Sequence, residues 1–76
     1  MEILLDTREL EAPEPMELVM KNLSKLDQNN YIKMIHRMEP RLLYNHLLNN
    51  GFLCDVEKKG EDFEILIFHE SYKKEF

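Results

Sequence analysis

The residues of this chain from which chemistry can be built are few: one cysteine, three histidines, and three arginines close to two proline-marked helix starts. Cys54 lies in the run GFLCDV, on a strand face shared by alternation with Phe52 and Val56. A lone cysteine in that setting packs as a small hydrophobe, and one thiol excludes an intramolecular disulfide and a multi-cysteine zinc site. His36 and His69 fall near strand ends, His46 flanks a helical stripe, and no two of them stand at the i, i+4 spacing of a helical metal site. Solvated or helix-capping roles are expected for all three. No Ser/His/Asp set, glycine-rich phosphate loop or pair of opposed carboxylates stands out. No catalytic residue, metal or cofactor is therefore expected, and the chain does not read as an enzyme.

The remaining candidates are Arg8, Arg37 and Arg41, and the elements around them decide what they do. EILLD (2–6) is a short β-rich run closed by polar residues. Behind it, Met16, Val19, Met20, Leu23 and Leu26 recur on one face of a 3.6-residue period, with Lys21, Asn22 and Lys25 opposite. The spacing predicts a helix that starts in the stretch EAPEP. Pro15 in the first helical turn costs no hydrogen bond, because the N–H groups there have no intrahelical acceptor. Pro13 disfavours helical geometry at Ala12, so an extended entry is expected. Glu14 and Glu17 at the start and Lys21 and Lys25 toward the end agree with the helix dipole.

YIKMIH (31–36) reads as a second strand, and a second helix follows with Pro40 at its first position. Leu43 and Leu47 mark its buried side, and Asn50-Gly51 is expected to form a left-handed cap. FLCDVEKK and DFEILIF then form a hairpin around Lys59-Gly60-Glu61. The order is β-α-β-α-β-β. Right-handed crossovers make it an α+β two-layer sandwich, with a four-stranded mixed sheet and both helices on one face. Residues 1–70 form the single domain, and 71–76 a polar tail.

In this topology both helix starts emerge at the ends of parallel strands, the edge where ligands tend to bind. That edge collects Asp6, Arg8, Glu11 to Pro15, and Arg37 to Arg41. Its arginines and helix ends suit an anionic group or an acidic partner loop. The competing reading is that they pair with Glu11, Glu14 and Glu39 and merely fix the loops. On the sheet face away from the helices, Leu4, Leu66 and Phe68 make an apolar patch suited to a partner or a second copy, unless the C-terminal tail folds over it.

Composition narrows the partner. The chain has 76 residues, 15 acidic against 10 basic, for a net charge of −5. That balance opposes counterion-release binding to nucleic acid, and no apolar run reads as a signal peptide or a membrane span. A cytoplasmic protein with a protein partner is expected, without nucleic acid or membrane, as a monomer or a weak homodimer through Leu4, Leu66 and Phe68.

The pattern LDxRxLxxPEP at the first helix, in a β-α-β-α-β-β chain of this length, resembles the TusA/SirA-like sulfur-carrier superfamily. In the sulfur carriers the helix start reads Cys-Pro-x-Pro, and its cysteine carries a persulfide. Here the matching residues are Ala12, Pro13, Glu14 and Pro15. Further residues are similar to the cysteine-free branch of unknown function: Leu5, Asp6, Arg8 and Leu10, then Glu39, Pro40, Arg41, Leu43 and Tyr44, then Gly51 and Phe52. Met38 stands where relatives often place a histidine ahead of the acidic residue, so no metal or haem role carries over. The resemblance implies a non-catalytic interaction or regulatory module, with Arg8, Pro13, Glu14, Pro15, Arg37, Arg41 and Tyr44 as partner-contacting candidates. The alternative is a sulfur-relay or redox role through Cys54.

Overall fold

A computed structural model describes residues 1–72. Strand β1 (Glu2–Asp6) leads to helix α1 (Glu14–Asn22), β2 (Tyr31–His36), α2 (Arg41–Asn49), β3 (Phe52–Lys59) and β4 (Asp62–His69). The two helices cover one face of a four-stranded sheet ordered β1-β2-β4-β3, the two-layer sandwich expected. β1 lies parallel to β2, with Ile3 opposite Ile32 and Leu5 opposite Met34. β4 runs antiparallel between β2 and β3, placing Ile65 opposite Met34 and Val56, and Ile67 opposite Ile32 and Cys54.

The apolar content of the hairpin explains the order. β4 is apolar on both faces over Ile65–Phe68, so burial favours it in the centre, while the charged end of β3 stays at the edge. The core on the helix side joins Ile32, Met34, Ile65 and Ile67 to Val19, Leu23 and Leu26 from the α1 segment, and to Leu43 and Leu47 from α2. All nine are buried.

The start of α2 differs from expectation by one residue, while Pro15 lies in the first turn of α1 as expected. Pro13 and Pro40 are the cap residues, so Pro15 is second in α1 and Arg41 is first in α2. The prolines remain where no intrahelical N–H is needed. The entry to α1 is a turn rather than an extended path: the Ala12–Pro13 peptide is cis, and the Glu14 N–H donates to the Glu11 carbonyl at 2.9 Å.

The far end of α1 also departs from the simple stripe. After Asn22 the chain tightens into a 3₁₀ turn, Leu23–Lys25, closed by a Leu26 N–H bond of 3.0 Å to the Leu23 carbonyl. Within α1 itself the buried stripe is Pro15, Val19 and Asn22, one residue out of phase with the expected face. Asn22, expected on the solvent side, is 7% exposed, and its amide donates to the Leu18 carbonyl at 2.8 Å. Met20, expected inside, is 37% exposed.

The far sheet face is also less open than the sequence implies. Phe68 is 5% exposed, with the Tyr72 ring 6.0 Å from its own and 5.7 Å from that of Tyr31. Lys33 stands between Leu4 and Leu66 in the register and pairs with Glu64 at 3.4 Å, so the three apolar residues do not form a continuous patch. The expected tail starts as part of the fold. Ser71 Oγ lies 2.7 Å from His69 Nδ1, and the Tyr72 N–H donates to the His69 carbonyl at 2.9 Å. The remainder of the expected tail, 73–76, lies outside the described residues.

Candidate functional site

Because the crossovers run parallel, the ends of β1 and β2 and the hairpin turn before β4 meet at one edge of the sheet. Thr7, just past β1, is completely buried there. Its N–H and its hydroxyl both donate to the Ile35 carbonyl at 2.9 Å, which extends the β1–β2 pairing by one residue. The His36 ring closes the same contact, with Nδ1 at 3.0 Å from Thr7 Oγ1 and 3.1 Å from Thr7 O. Since the hydroxyl proton is directed at Ile35, both neighbours of Nδ1 are acceptors. The pattern therefore places a proton on Nδ1.

Arg8 turns back on the strand it has just left. Its Nε and Nη2 donate to the two carboxylate oxygens of Asp6 at 2.9 and 2.7 Å, the two-point geometry in which a guanidinium binds best. Its backbone N–H donates to Asp6 Oδ1 at 3.2 Å, and Nη1 reaches Asp62 at 3.3 Å. Side-chain and then backbone hydrogen bonds from Arg8 hold the Asp6 carboxyl down at about 2, and the side-chain bonds to Asp6 and then to Asp62 push the Arg8 guanidinium up.

Beside this staple lies a depression lined by Asp6, Arg8, Glu9, Leu10, Glu11, Arg37 and Asp62. Carboxylates outnumber guanidinium groups in it, and Arg8 is committed to two of them. The lining thus opposes a simple anion site and leaves Arg37 as the distinctive group. Arg37 is exposed and makes no ion pair or side-chain hydrogen bond among the described residues.

The edge brings together Arg8 and Arg37 of the expected contact residues, and separates them from the others. Pro13 and Glu14 are exposed at the start of α1, whereas Pro15 is buried and has no surface to offer. Arg41 is 83% exposed and bonds Glu39 at 3.1 Å, one of the pairings weighed from sequence. Arg8 instead takes Asp6 and Asp62. Tyr44 packs against the core with its hydroxyl buried and without a hydrogen-bond partner among the described residues. Burial, with Glu39 adding to it, pushes that hydroxyl up to about 12.

Two contributors were not singled out from the sequence. Asp62 is 54 residues from Arg8 and carries no local signal of the contact. Thr7 carries a weak one, as a β-branched polar residue directly after a strand. Cys54 is half-buried against the core, and burial raises its thiol, with Asp55 adding to the effect, so the thiolate is suppressed. Among the described residues no three His, Cys, Asp or Glu side chains are disposed to hold a metal ion, and no helix is long and apolar enough to cross a membrane.

These features define a small α+β sandwich with a charged depression at its strand ends and a helix start that carries Pro-x-Pro without a thiol. The chain belongs to the family described as uncharacterized conserved protein (DUF2249), whose model matches residues 4–69. No curated protein and no solved structure matches it.

Proposed function

We propose that this chain is a non-catalytic protein-interaction or regulatory module that contacts its partner at the strand-end edge. The observation that carries the reading is Arg37, an exposed guanidinium without an ion pair among the described residues, in a depression whose other arginine is immobilised by two carboxylates. A free guanidinium beside a rigid rim is a suitable anchor for a partner's carboxylate or backbone carbonyl. Around it, Asp6, Glu9, Glu11 and Asp62 favour basic groups on the same partner, so a partner surface of mixed charge fits best.

The reading draws also on the resemblance to the TusA/SirA-like sulfur carriers, in element order and in the Pro-x-Pro helix start. A persulfide needs a thiolate, and Ala12 supplies none. We place the protein in the cytoplasm, where a single unpaired cysteine is at home. A sulfur-relay or redox role through Cys54 has less support, since burial disfavours its reactive form. Alkylation mass spectrometry after exposure to a persulfide donor separates the two: a modified Cys54 in the folded protein favours the relay.

Affinity capture from native lysate with the wild type and with Arg37→Glu tests the edge. A species held by the wild type is expected to fall at least about tenfold with Arg37→Glu at unchanged circular dichroism, since the substitution turns an attraction into a repulsion. Equal recovery by both proteins removes the site. Arg8→Glu is a poor probe, because it also breaks the Asp6–Asp62 staple.

A further inference from the structure

The two ends of the β1–β2 ladder fix which way the backbone groups of β1 point. The Tyr31 N–H donates to the Met1 carbonyl at 3.1 Å, and the Thr7 N–H donates to the Ile35 carbonyl at 2.9 Å. Bonding residues alternate along a parallel pair, so between those ends the bonds to β2 belong to Ile3 and Leu5. The N–H and C=O groups of Glu2, Leu4 and Asp6 point the other way, where the sheet ends. These backbone groups have no hydrogen-bond partner among the described residues.

Such an edge is commonly blunted by lysine, proline, a bulge or a covering segment. β3, at the opposite edge, ends in Glu57, Lys58 and Lys59. β1 reads EILLD, and its register with β2 runs from Glu2 to Asp6 without a break. Its charges are both carboxylates, and Leu4 between them is 57% exposed. The nearby cations are drawn inward: Arg8 and Lys33 both reach across to β4, to Asp62 at 3.3 Å and Glu64 at 3.4 Å. β4 lies beyond β2 from β1, so neither cation guards the open edge.

An added strand satisfies these outward donors and acceptors in a row, and EILLD dictates its side chains. Alternate residues of the newcomer stand beside Glu2, Leu4 and Asp6 on the open sheet face, and those between stand beside Ile3 and Leu5, which pack on the core. Burial therefore asks for three apolar residues in the middle. Charge asks for a basic residue at each end. The Glu2 carboxylate accepts from the Tyr31 hydroxyl at 3.0 Å but has no ion pair among the described residues. Beyond Asp6, whose charge Arg8 takes up, Glu9 and Glu11 continue the negative rim in the depression. A second copy fits this edge less well: the antiparallel register that uses all three positions sets Glu2 opposite Asp6 twice, with Arg8 already committed to two carboxylates.

We infer that the outer edge of β1 takes an extended segment of a partner protein as a fifth strand, in the pattern basic, three apolar, basic. The inference rests on the reading of this chain as an interaction module and names the form of its partner. The edge leads into the depression at Asp6, so one partner can occupy both.

The probe is the capped peptide acetyl-Thr-Lys-Val-Val-Val-Lys-Thr-amide, titrated into the full chain by calorimetry and followed by NMR amide exchange. Binding is expected with a dissociation constant of about 1 mM or tighter. With free peptide at about ten times that constant, exchange at Glu2, Leu4 and Asp6 should slow about tenfold. Lys58, whose N–H faces outward from β3 by the same alternation from the Glu70–Gly51 bond, should stay within about twofold. Methylating alternate backbone nitrogens of the peptide gives two versions, one blocked toward β1 and one toward solvent. One version should lose binding at least about tenfold, and the other should keep it within about threefold. Glu2→Lys should weaken binding about fivefold, while Glu57→Lys, the same charge change on β3, leaves it within about twofold. Both positions are exposed, so circular dichroism should be unchanged.

Absence of binding at about 10 mM peptide overturns the inference. So does equal binding by the two methylated versions, which marks side-chain attraction alone. Protection of Leu4 that rises with protein concentration in the absence of peptide also overturns it, because a second copy then holds the edge. Any of these results, together with loss of capture by Arg37→Glu, leaves the depression standing without the added strand. Peptide binding as expected, with capture unchanged by Arg37→Glu, leaves the added strand standing without the depression.

Discussion

Arg8 and Asp6 show how two residues in sequence become one structural unit. Asp6 accepts from the side chain and the backbone of Arg8, so its ionised form is favoured in the fold and its carboxyl is held at about 2. A depressed folded value means the contribution is complete above the ordinary carboxylate value of about 4 and is lost as pH falls from there toward 2. A side-chain NMR titration should place the Asp6 midpoint near 2 in the wild type and return it to the ordinary range in Arg8→Gln. An unmoved midpoint would show that the staple is not the cause. Tyr44 is the opposite case, a buried hydroxyl without a partner among the described residues. Removing an unsatisfied polar atom relieves its desolvation, so Tyr44→Phe should raise stability by about 1 kcal/mol in urea unfolding. A lower midpoint would show that the hydroxyl is bonded.

At the scale of elements, alternation along the strands was legible because one face of each packs on the helices. EILLD and YIKMIH are β1 and β2 residue for residue, and the hairpin runs give β3 and β4, the latter extended to His69. Helix starts were readable to within one residue from Pro13–Pro15 and Pro40. The 3₁₀ turn after Asn22 was not, since periodicity averages over a segment and does not show where the winding tightens. The cap of α2 was anticipated, but its left-handed residue is Gly51 alone, at φ +84°, while Asn50 remains at −107°. A Cβ at Gly51 would meet nothing closer than the Glu70 side chain at 3.9 Å, so crowding is not at issue. Gly51→Ala should therefore cost about 1 kcal/mol from the left-handed conformation alone. Thermal or urea unfolding measures it, and a neutral result would mean that the cap rearranges.

At the scale of the molecule, the candidate site is assembled by contacts no local pattern encodes. Local sequence placed Arg8, Arg37 and Arg41 near helix starts, yet it could not distinguish their fates. Asp62 arrives from the hairpin to complete the hold on Arg8, Glu39 takes Arg41, and Arg37 is left in the depression. What the sequence by itself determined is what depends on period and composition: the element order, the two-layer sandwich, the buried side of α2 at Leu43 and Leu47, and the missing thiol at Ala12. The tertiary structure alone decided which charges are satisfied, that Pro15 and the Tyr44 hydroxyl are hidden, that Tyr72 covers Phe68, and that the outer edge of β1 is open. The physical reason is range. Hydrophobic periodicity is written in neighbours three or four residues apart, whereas ion pairs and exposure depend on strand order, which joins residues as distant as Arg8 and Asp62.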